Sequence, residues 1–127
     1  MALKFADLDA LVITGVARHP VWLLVGHRTL EIKEAPYLWG LKVKQTGQLL
    51  RRLAGSSGHR SILRIGPAGE NLAAMAGINV DSYRHFGRLG GGAVMGAKKL
   101  KAIVILGDAS FPLPPGKEYP QLFQQVY

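Results

Sequence analysis

The sequence contains no cysteine among its 127 residues. This absence excludes a disulfide scaffold, a thiol nucleophile, a cysteine-based zinc site and any iron–sulfur cluster held by this chain alone. Long hydrophobic runs are missing too. The longest, Pro20–Val25 and Ala102–Leu106, fall far short of the roughly 20 residues that cross a bilayer. We therefore expect no membrane partner.

Signals for secretion and for catalysis are also lacking. The start, Met1–Phe5, has no basic segment followed by a long apolar stretch, so the protein is expected to be cytoplasmic. The four histidines lack the spacing of metal ligands, no Gly-x-Ser-x-Gly elbow occurs, and the eight carboxylates are scattered. The sequence thus predicts a binding surface with no catalytic residue and no metal site made by this chain.

Acidic residues are few where basic residues are many. The whole chain carries a net charge of +8. Between residues 35 and 106, eleven basic residues stand against two acidic ones, which gives this segment +9 and leaves −1 for the rest. This distribution indicates an anionic partner for the middle and later parts of the chain.

The apolar pattern predicts a single globular α+β domain of short strands and short helices. Val43, Thr46, Leu49, Leu50 and Leu53 share one helical face, and Gly55 is a plausible stop. Prolines 112, 114 and 115 predict an extended linker. The other predicted elements are strands at Ala10–Thr14, Val21–Val25, Thr29–Lys33, Ser61–Ile65 and Ala102–Leu106, and helices at Asn71–Met75, Ala93–Leu100 and from Glu118.

A glycine-rich segment is the first candidate for function. Five of the ten residues from Gly87 to Gly96 are glycine, and the run is flanked by Arg84, Arg88 and Lys98–Lys99. Glycine lets successive backbone N–H groups surround an anion, and a helix starting at residue 92 or 93 would add its positive end. Arginines could hold a phosphate from the side. The alternative is a turn with positive φ followed by a solvated basic face.

The named phosphate loops do not match this segment. A Walker A loop would need Lys and then Ser or Thr directly after the second glycine, and the dinucleotide fingerprint needs a different glycine spacing. A second glycine segment, Gly66–Leu72, contains Glu70 and Asn71. These could bind the edge of a heterocycle, or Glu70 could complement a helix start and Asn71 could act as a cap.

Both glycine segments resemble one family. Gly66-Pro-Ala-Gly-Glu-Asn-Leu72, Gly87-Arg88 and Gly92-Ala-Val-Met-Gly-Ala-Lys-Lys-Leu-Lys-Ala-Ile103 are similar to the N-terminal domain of the tungsten-containing aldehyde ferredoxin oxidoreductases. Collinear blocks upstream, at Leu3–Ala6, Leu11–Gly15, Pro20–Trp22 and Leu38–Gly40, match as well. The resemblance covers residues 3 to 108.

The resemblance implies the fold, the cofactors and the partners. The fold would be the second half of a pseudo-twofold, β-rich platform beneath a tungsten or molybdenum bis-pyranopterin whose phosphates are bridged by Mg²⁺. The complete enzyme would oxidise aldehydes to carboxylic acids and pass electrons through a [4Fe–4S] cluster to ferredoxin. Residues 1–110 would be a partial N-terminal domain, and residues 111–127 the linker and the start of the next helical domain.

The resemblance also assigns residues. Arg84, His85, Gly87 and Arg88 would contact pterin, His85 through its backbone because a small residue is usual there. Asn71, with Glu70, would support the site. Ala97 replaces a usual serine, and Val80–Tyr83 differs from the family's usual residues.

Other functions remain open on the sequence alone. Because the family's other segments would lie before Met1 and after Tyr127, the chain is expected to be inactive alone and to join those segments or a companion chain; homo-oligomers are a further expectation. The alternative function is a non-catalytic module for a phosphate or other anionic ligand, or a subunit of a split enzyme. Nucleic-acid binding rests on charge only, since no aromatic-rich sheet motif or recognition helix is present, so no nucleic-acid partner is expected.

Overall fold

The computed structural model describes residues 1–55, 58–82, 84–110 and 118–126. Its elements are short, and each strand is only three to eight residues long. The strands are β1 Val21–Val25, β2 Leu30–Glu34, β3 His59–Arg64, β4 Ile78–Val80, β5 Arg84–Phe86 and β6 Leu100–Gly107; the helices are α1 Ala2–Phe5, α2 Val43–Leu53, α3 Pro67–Glu70, α4 Gly91–Ala97 and α5 Glu118–Val126, with a 3₁₀ turn at Pro36–Leu38.

The six strands form one mixed sheet in the order β2-β1-β6-β3-β4-β5. Only the β1–β6 pair is parallel, and the other four pairs are antiparallel. The predicted α+β class, a β-rich platform with short helices, is therefore confirmed. Strand β1 lies inside the sheet, between β2 and β6.

Each face of the sheet carries its own apolar core. The front face, with Leu23, Ile103 and Ile105 of the central strands, packs against Ala2 of α1 and Met95 of α4. The back face has Trp22, Leu24, Ala102 and Val104, which pack with Leu50 of α2 and Leu38 of the 3₁₀ turn. The uninterrupted apolar sequence of β1 correctly predicted burial on both faces.

A β-bulge lies at the start of β6. Val21 is opposite Leu100 and Trp22 is opposite Ala102, so Lys101 is the extra residue. In regular alternation Leu100 and Ala102 would share one face, but Leu100 joins the front core and Ala102 the back core. The bulge thus resets the alternation and turns Lys101 into the interior.

The predicted strand Ala10–Thr14 is wrong. These residues have no strand partner and run as irregular chain, with Leu11 and Ile13 packed on the front core. Val12 and Thr14 between and after them are exposed, so the segment contributes two packed side chains and no ladder. Two short strands were not predicted: β4 and β5 are only three residues each, which is too few for a periodic signal.

The helices follow the predicted pattern with shifted ends. Residues 71–75 form turns instead of the predicted helix, because Leu72 has a positive φ of 58° and the helical residues lie before it, in α3. Pro67 occupies the first turn of α3, where its missing N–H is not needed. The helix predicted at 93–100 is α4, which ends at Ala97 before Lys99 adopts φ 54°.

Two further predictions concern the residues after β6. The proline linker predicted at residues 112–115 lies outside the described residues. The helix expected from Glu118 is α5. In the described parts of the chain no helix is long and apolar enough to cross a membrane.

Candidate functional site

The predicted site residues lie on and after the edge strand β5. Arg84 and His85 are in β5, opposite Val80 and Asn79 of β4, and Gly87 and Arg88 follow directly; all four are exposed. Neither the Arg84 nor the Arg88 guanidinium forms a hydrogen bond or ion pair with any residue that the structure describes. This edge therefore presents two uncommitted cations.

A cleft adjoins Arg84 on the front face. It has a volume of about 410 Å³ and is lined by Arg84 and Phe86 of β5, Val80 of β4, and the first residues of α1. His85 lies on the opposite side of the strand, and its ring leans towards Gly87. The strand thus directs one arginine to the front cleft and leaves His85 on the back.

The two glycine segments form a single packed unit, here called the α3–α4 unit (residues 66–77 and 89–97). A Cβ at Gly96 would lie 1.9 Å from the Gly69 carbonyl oxygen, and one at Gly69 would lie 2.8 Å from the Gly92 carbonyl oxygen. A Cβ at Gly90, where φ is 64°, would lie 2.4 Å from the Ala74 carbonyl oxygen. These glycines are required by close contact between backbones.

The start of α4 is engaged in the same packing. The Gly92 N–H donates to the Ala76 carbonyl at 2.8 Å, so it is not aimed at open solvent. Gly90 accepts hydrogen bonds from the next N–H groups of the helix, at Ala93 and Val94. The Gly92 N–H is therefore engaged in packing, and the uncommitted cationic side chains lie earlier, at Arg84 and Arg88.

Glu70 is committed to an internal ion pair. Its carboxylate is buried, pairs with Lys101 Nζ, and accepts the Gly40 N–H at 2.8 Å. Lys101 also donates to the Leu41 carbonyl at 2.8 Å. Glu70 is the last residue of the four-residue helix α3 and therefore also lies in its first turn, but its carboxylate is engaged by Lys101 and Gly40. Asn71, which follows it, is exposed and remains available.

The two flanking lysines are structural. Lys98 Nζ donates to the Gly15 carbonyl at 2.9 Å, and Lys99 Nζ donates to the Arg18 carbonyl at 2.8 Å. Both tether the irregular segment before β1 to the end of α4. Of the four cations that flank the glycine run, only the two arginines remain for a ligand.

Sequence reasoning missed two buried cations. Lys101 has no solvent exposure and Arg64 has 5%. Burial lowers the pKa of Lys101, while its hydrogen bond to Glu70 and the charge of Glu70 raise it. A lysine or arginine within a strand pattern normally predicts a solvated position. One available signal was Gly47, a glycine in the middle of α2, because such a position often marks close packing.

The fold and the two glycine segments match a class of oxidoreductase domains. Residues 1–107 match the family model described as "Aldehyde ferredoxin oxidoreductase, N-terminal domain". The chain therefore belongs to the aldehyde ferredoxin oxidoreductase family, as the resemblance implied.

Individual relatives agree with this assignment. The chain is 43% identical to the tungsten-containing aldehyde ferredoxin oxidoreductase of Pyrococcus furiosus over 117 residues, which are 92% of this chain and 19% of the relative. It is 33% identical to the aliphatic sulfonate oxidoreductase, WOR-like subunit, of the same organism, over 93% of this chain and 21% of that subunit. The chain spans about a fifth of the length of these relatives.

A solved structure has the same fold. The active-site complex BamBC of benzoyl-coenzyme A reductase, determined with 1,5-dienoyl-CoA, aligns with a TM-score of 0.83 and 31% identity. The alignment covers 98% of this chain and 19% of that one. The same platform thus accounts for about a fifth of the chain in that structure.

Proposed function

We propose that this chain supplies part of the binding surface for a tungsten or molybdenum bis-pyranopterin in an aldehyde ferredoxin oxidoreductase. The observation that carries the proposal is the pair of exposed, uncommitted arginines, Arg84 and Arg88, beside the α3–α4 unit. The names of the relatives, which are tungsten-containing enzymes, support the choice of metal.

The donor set suits this group. A pyranopterin carries phosphate, and guanidinium groups bind phosphate through two parallel N–H donors. Gly87 has only the His85 ring near its Cα, so a ligand could approach its backbone. We assign phosphate contacts to Arg84 and Arg88, backbone contacts to His85 and Gly87, and a polar contact to the exposed Asn71. Mg²⁺ between the phosphates is part of the same proposal.

The chemistry of the assembled enzyme would be oxidation of an aldehyde to a carboxylic acid, with electrons leaving through a [4Fe–4S] cluster to ferredoxin. When bound, the metal–pterin group supplies the redox centre. This chain contributes cations that bind and orient it. Since the sequence contains no cysteine, ligands for the cluster would come from other segments or a companion chain.

Apolar side chains on the α3–α4 unit favour such a partner. Met75 is 90% exposed and Leu89 is 98% exposed, and Leu72 and Val94 are more than half exposed. Exposed apolar patches of this kind are usually covered in an assembly. We propose that the chain functions as one part of a larger cytoplasmic oxidoreductase, either as a domain or as a subunit; a non-catalytic module for an anionic ligand is the alternative.

The pterin proposal is tested in the assembled enzyme with the double variant Arg84→Glu/Arg88→Glu. Each lost charge-assisted hydrogen bond is worth about 1.5–3 kcal/mol, and repulsion adds to the loss. Metal content by mass spectrometry and pterin by fluorescence after oxidation should both fall sharply, while the far-ultraviolet dichroism of the chain stays unchanged.

The matched control is Arg28→Glu/Arg52→Glu, which makes the same charge change at two other exposed arginines. Control and parent should hold equal amounts of pterin. Full pterin occupancy in the Arg84/Arg88 variant would overturn the proposed contacts. Occupancy that falls equally in both variants would attribute the effect to net charge alone.

A further inference from the structure

A second cationic site lies on the back face, away from the front cleft that Arg84 lines. It is a pocket of about 380 Å³ between α2 and the strands β3 and β4. This volume is within the range of small-molecule sites. Lys44 and Arg51 of α2 and Arg64 of β3 contribute three cations, and Asp81 contributes the one carboxylate among the lining residues.

Arg64 is buried without a paired carboxylate in the described chain. Its guanidinium donates to three backbone carbonyls: Nε to Val43 at 2.6 Å, Nη2 to Asp81 at 2.6 Å and Nη1 to Ile62 at 3.3 Å. Burial and the nearby charge of Arg51 both lower the pKa of Arg64. A buried cation solvated by carbonyls alone remains electrostatically unbalanced.

Asp81 balances this charge only in part: its charge raises the pKa of Arg64, but it forms no salt bridge with the guanidinium. Its carboxylate accepts the Ile62 N–H at 2.8 Å and the Ser61 hydroxyl at 3.0 Å, so both oxygens are committed to β3. Arg51 is held beside the pocket by a 3.3 Å hydrogen bond from Nη2 to the Ser82 hydroxyl. The Lys44 ammonium group forms no hydrogen bond or ion pair with the described residues. The pocket therefore keeps a cationic wall.

Helix α2 leaves space for the Arg64 guanidinium at Gly47. A Cβ at Gly47 would lie 2.8 Å from Arg64 Nε and 2.9 Å from Cζ. Glycine in a helix interior costs about 1 kcal/mol relative to alanine, yet Gly47 is the fifth residue of the eleven in α2. The sequence accepts this cost at a position of α2 where a side chain would collide with the guanidinium.

The pocket also contains an unmatched acceptor. Asn79 is directly across from Arg64 in the β3–β4 ladder, and its side-chain Oδ1 is buried with no hydrogen-bond partner. Unpaired buried acceptors are unusual in folded proteins. A ligand that satisfies this atom must bring a donor, such as a hydroxyl group, in addition to its negative charge.

We propose that this pocket binds a phosphate ester of a small polyhydroxylated molecule. The phosphate would lie between Lys44, Arg51 and Arg64, and a hydroxyl group would donate to Asn79 Oδ1. Three cations of this kind are suited to a doubly charged oxyanion. The cations of this site are distinct from those proposed to bind pterin, because they lie on α2 and β3 and not on the edge strand β5; the two proposed sites adjoin where Asn79 lies opposite His85.

The test is calorimetric titration of the full chain with three probes: ribose 5-phosphate, inorganic phosphate and ribose. Ribose 5-phosphate should bind saturably and about tenfold more tightly than inorganic phosphate, and ribose should not bind. Equal binding of the two phosphates would identify free phosphate as the source and would overturn the role given to Asn79. No saturable binding of either phosphate up to roughly 10 mM would overturn the site.

Three double variants locate the binding. Lys44→Gln/Arg51→Gln should weaken it about tenfold or more. Arg18→Gln/Arg28→Gln, which removes the same charge elsewhere, should bind as the parent does. Arg84→Gln/Arg88→Gln should also bind normally, which separates this site from the pterin proposal. Loss of binding in that third variant, with retention in the first, would contradict the inference. Circular dichroism confirms that each variant is folded.

Discussion

The α3–α4 unit and the β5 edge are adjacent in sequence and opposite in character. In the unit, glycines are pressed against backbone carbonyls, and Glu70 is paired with Lys101. At the edge, residues 84–88 are exposed, and the two arginines have no partner among the described residues. One sequence motif thus contains a rigid support and a binding surface. Mutations should distinguish the two. Substitutions in the α3–α4 unit should lower the free energy of unfolding, and substitutions at the β5 edge should lower only ligand binding.

The largest effect is expected from Gly96→Ala. The new Cβ would lie 1.9 Å from the Gly69 carbonyl oxygen, and both segments are backbone, so neither can turn aside as a side chain could. We expect a loss of about 3 kcal/mol or more in the free energy of unfolding, with a Tm lower by roughly 10 °C. The matched control is Gly91→Ala in the same helix, where the new Cβ meets only the flexible end of Ile78. Equal stability of the two variants would refute the packing role of Gly96.

The next effect is expected from Glu70→Gln. The amide can still accept the Gly40 N–H, but Lys101 loses its buried counter-charge. Removing one partner of a buried ion pair typically costs about 3–5 kcal/mol. Urea unfolding should show a loss near the lower limit, and adding Lys101→Met should restore at least half of it. A double variant with the summed loss of the two single variants would show that the pair is not coupled.

A smaller effect concerns pH. Burial lowers the pKa of Lys101 below its usual 10.5, so the unfolded chain binds this proton more tightly than the folded chain. Folding is therefore opposed while both states are protonated, and stability rises as pH increases from the folded-state pKa towards 10.5. Relative to Lys101→Met, the parent should gain stability as the pH rises towards 10.5, by at most about 1.4 kcal/mol per pH unit. A constant or falling difference would contradict the direction.

The smallest effect is expected at the edge. Gly87 faces only the movable ring of His85, and Arg88 is exposed. Gly87→Ala and Arg88→Gln should each change the free energy of unfolding by less than about 0.5 kcal/mol. In the assembled enzyme the same variants should reduce pterin content. A stability loss as large as that of Gly96→Ala would show that the β5 edge, like the α3–α4 unit, stabilises the fold.

The elements that the sequence predicted well are those whose own side chains determine them. The helix at Val43–Leu53 and the strand at Val21–Val25 have strong apolar patterns, and both are present. The strand at Ala10–Thr14 failed because strand formation needs a neighbour, which composition does not reveal. Leu30 and Ile32 show the same limit, since they alternate as core residues do but lie exposed on the edge strand β2.

The candidate site also contains some residues that the sequence identified and others whose roles only the structure shows. The resemblance placed Arg84, His85, Gly87, Arg88 and Asn71, and all five are exposed in the fold. The roles of the glycines and of Glu70 could be seen only in the three-dimensional structure, because Gly96 and Gly69 lie in close contact although they are 27 residues apart in the sequence. The burial of Arg64 could not be predicted for the same reason. Its partners are backbone carbonyls on α2 and after β4, and the sequence pattern gives no information about such contacts.

The bulge at Lys101 shifts the alternation of side chains between the two faces of strand β6. Upstream of it odd and even positions have one assignment of faces, and downstream they have the other, as Leu100 and Ala102 show. Deleting Lys101 would make Leu100 and Ala102 neighbours on opposite faces, as they are now, so each core would keep its apolar residues. The deletion would remove only the extra residue and, with it, the buried ion pair to Glu70. The bulge is therefore not needed to assign apolar residues to the two cores; it brings one charged side chain into the interior of an otherwise regular strand.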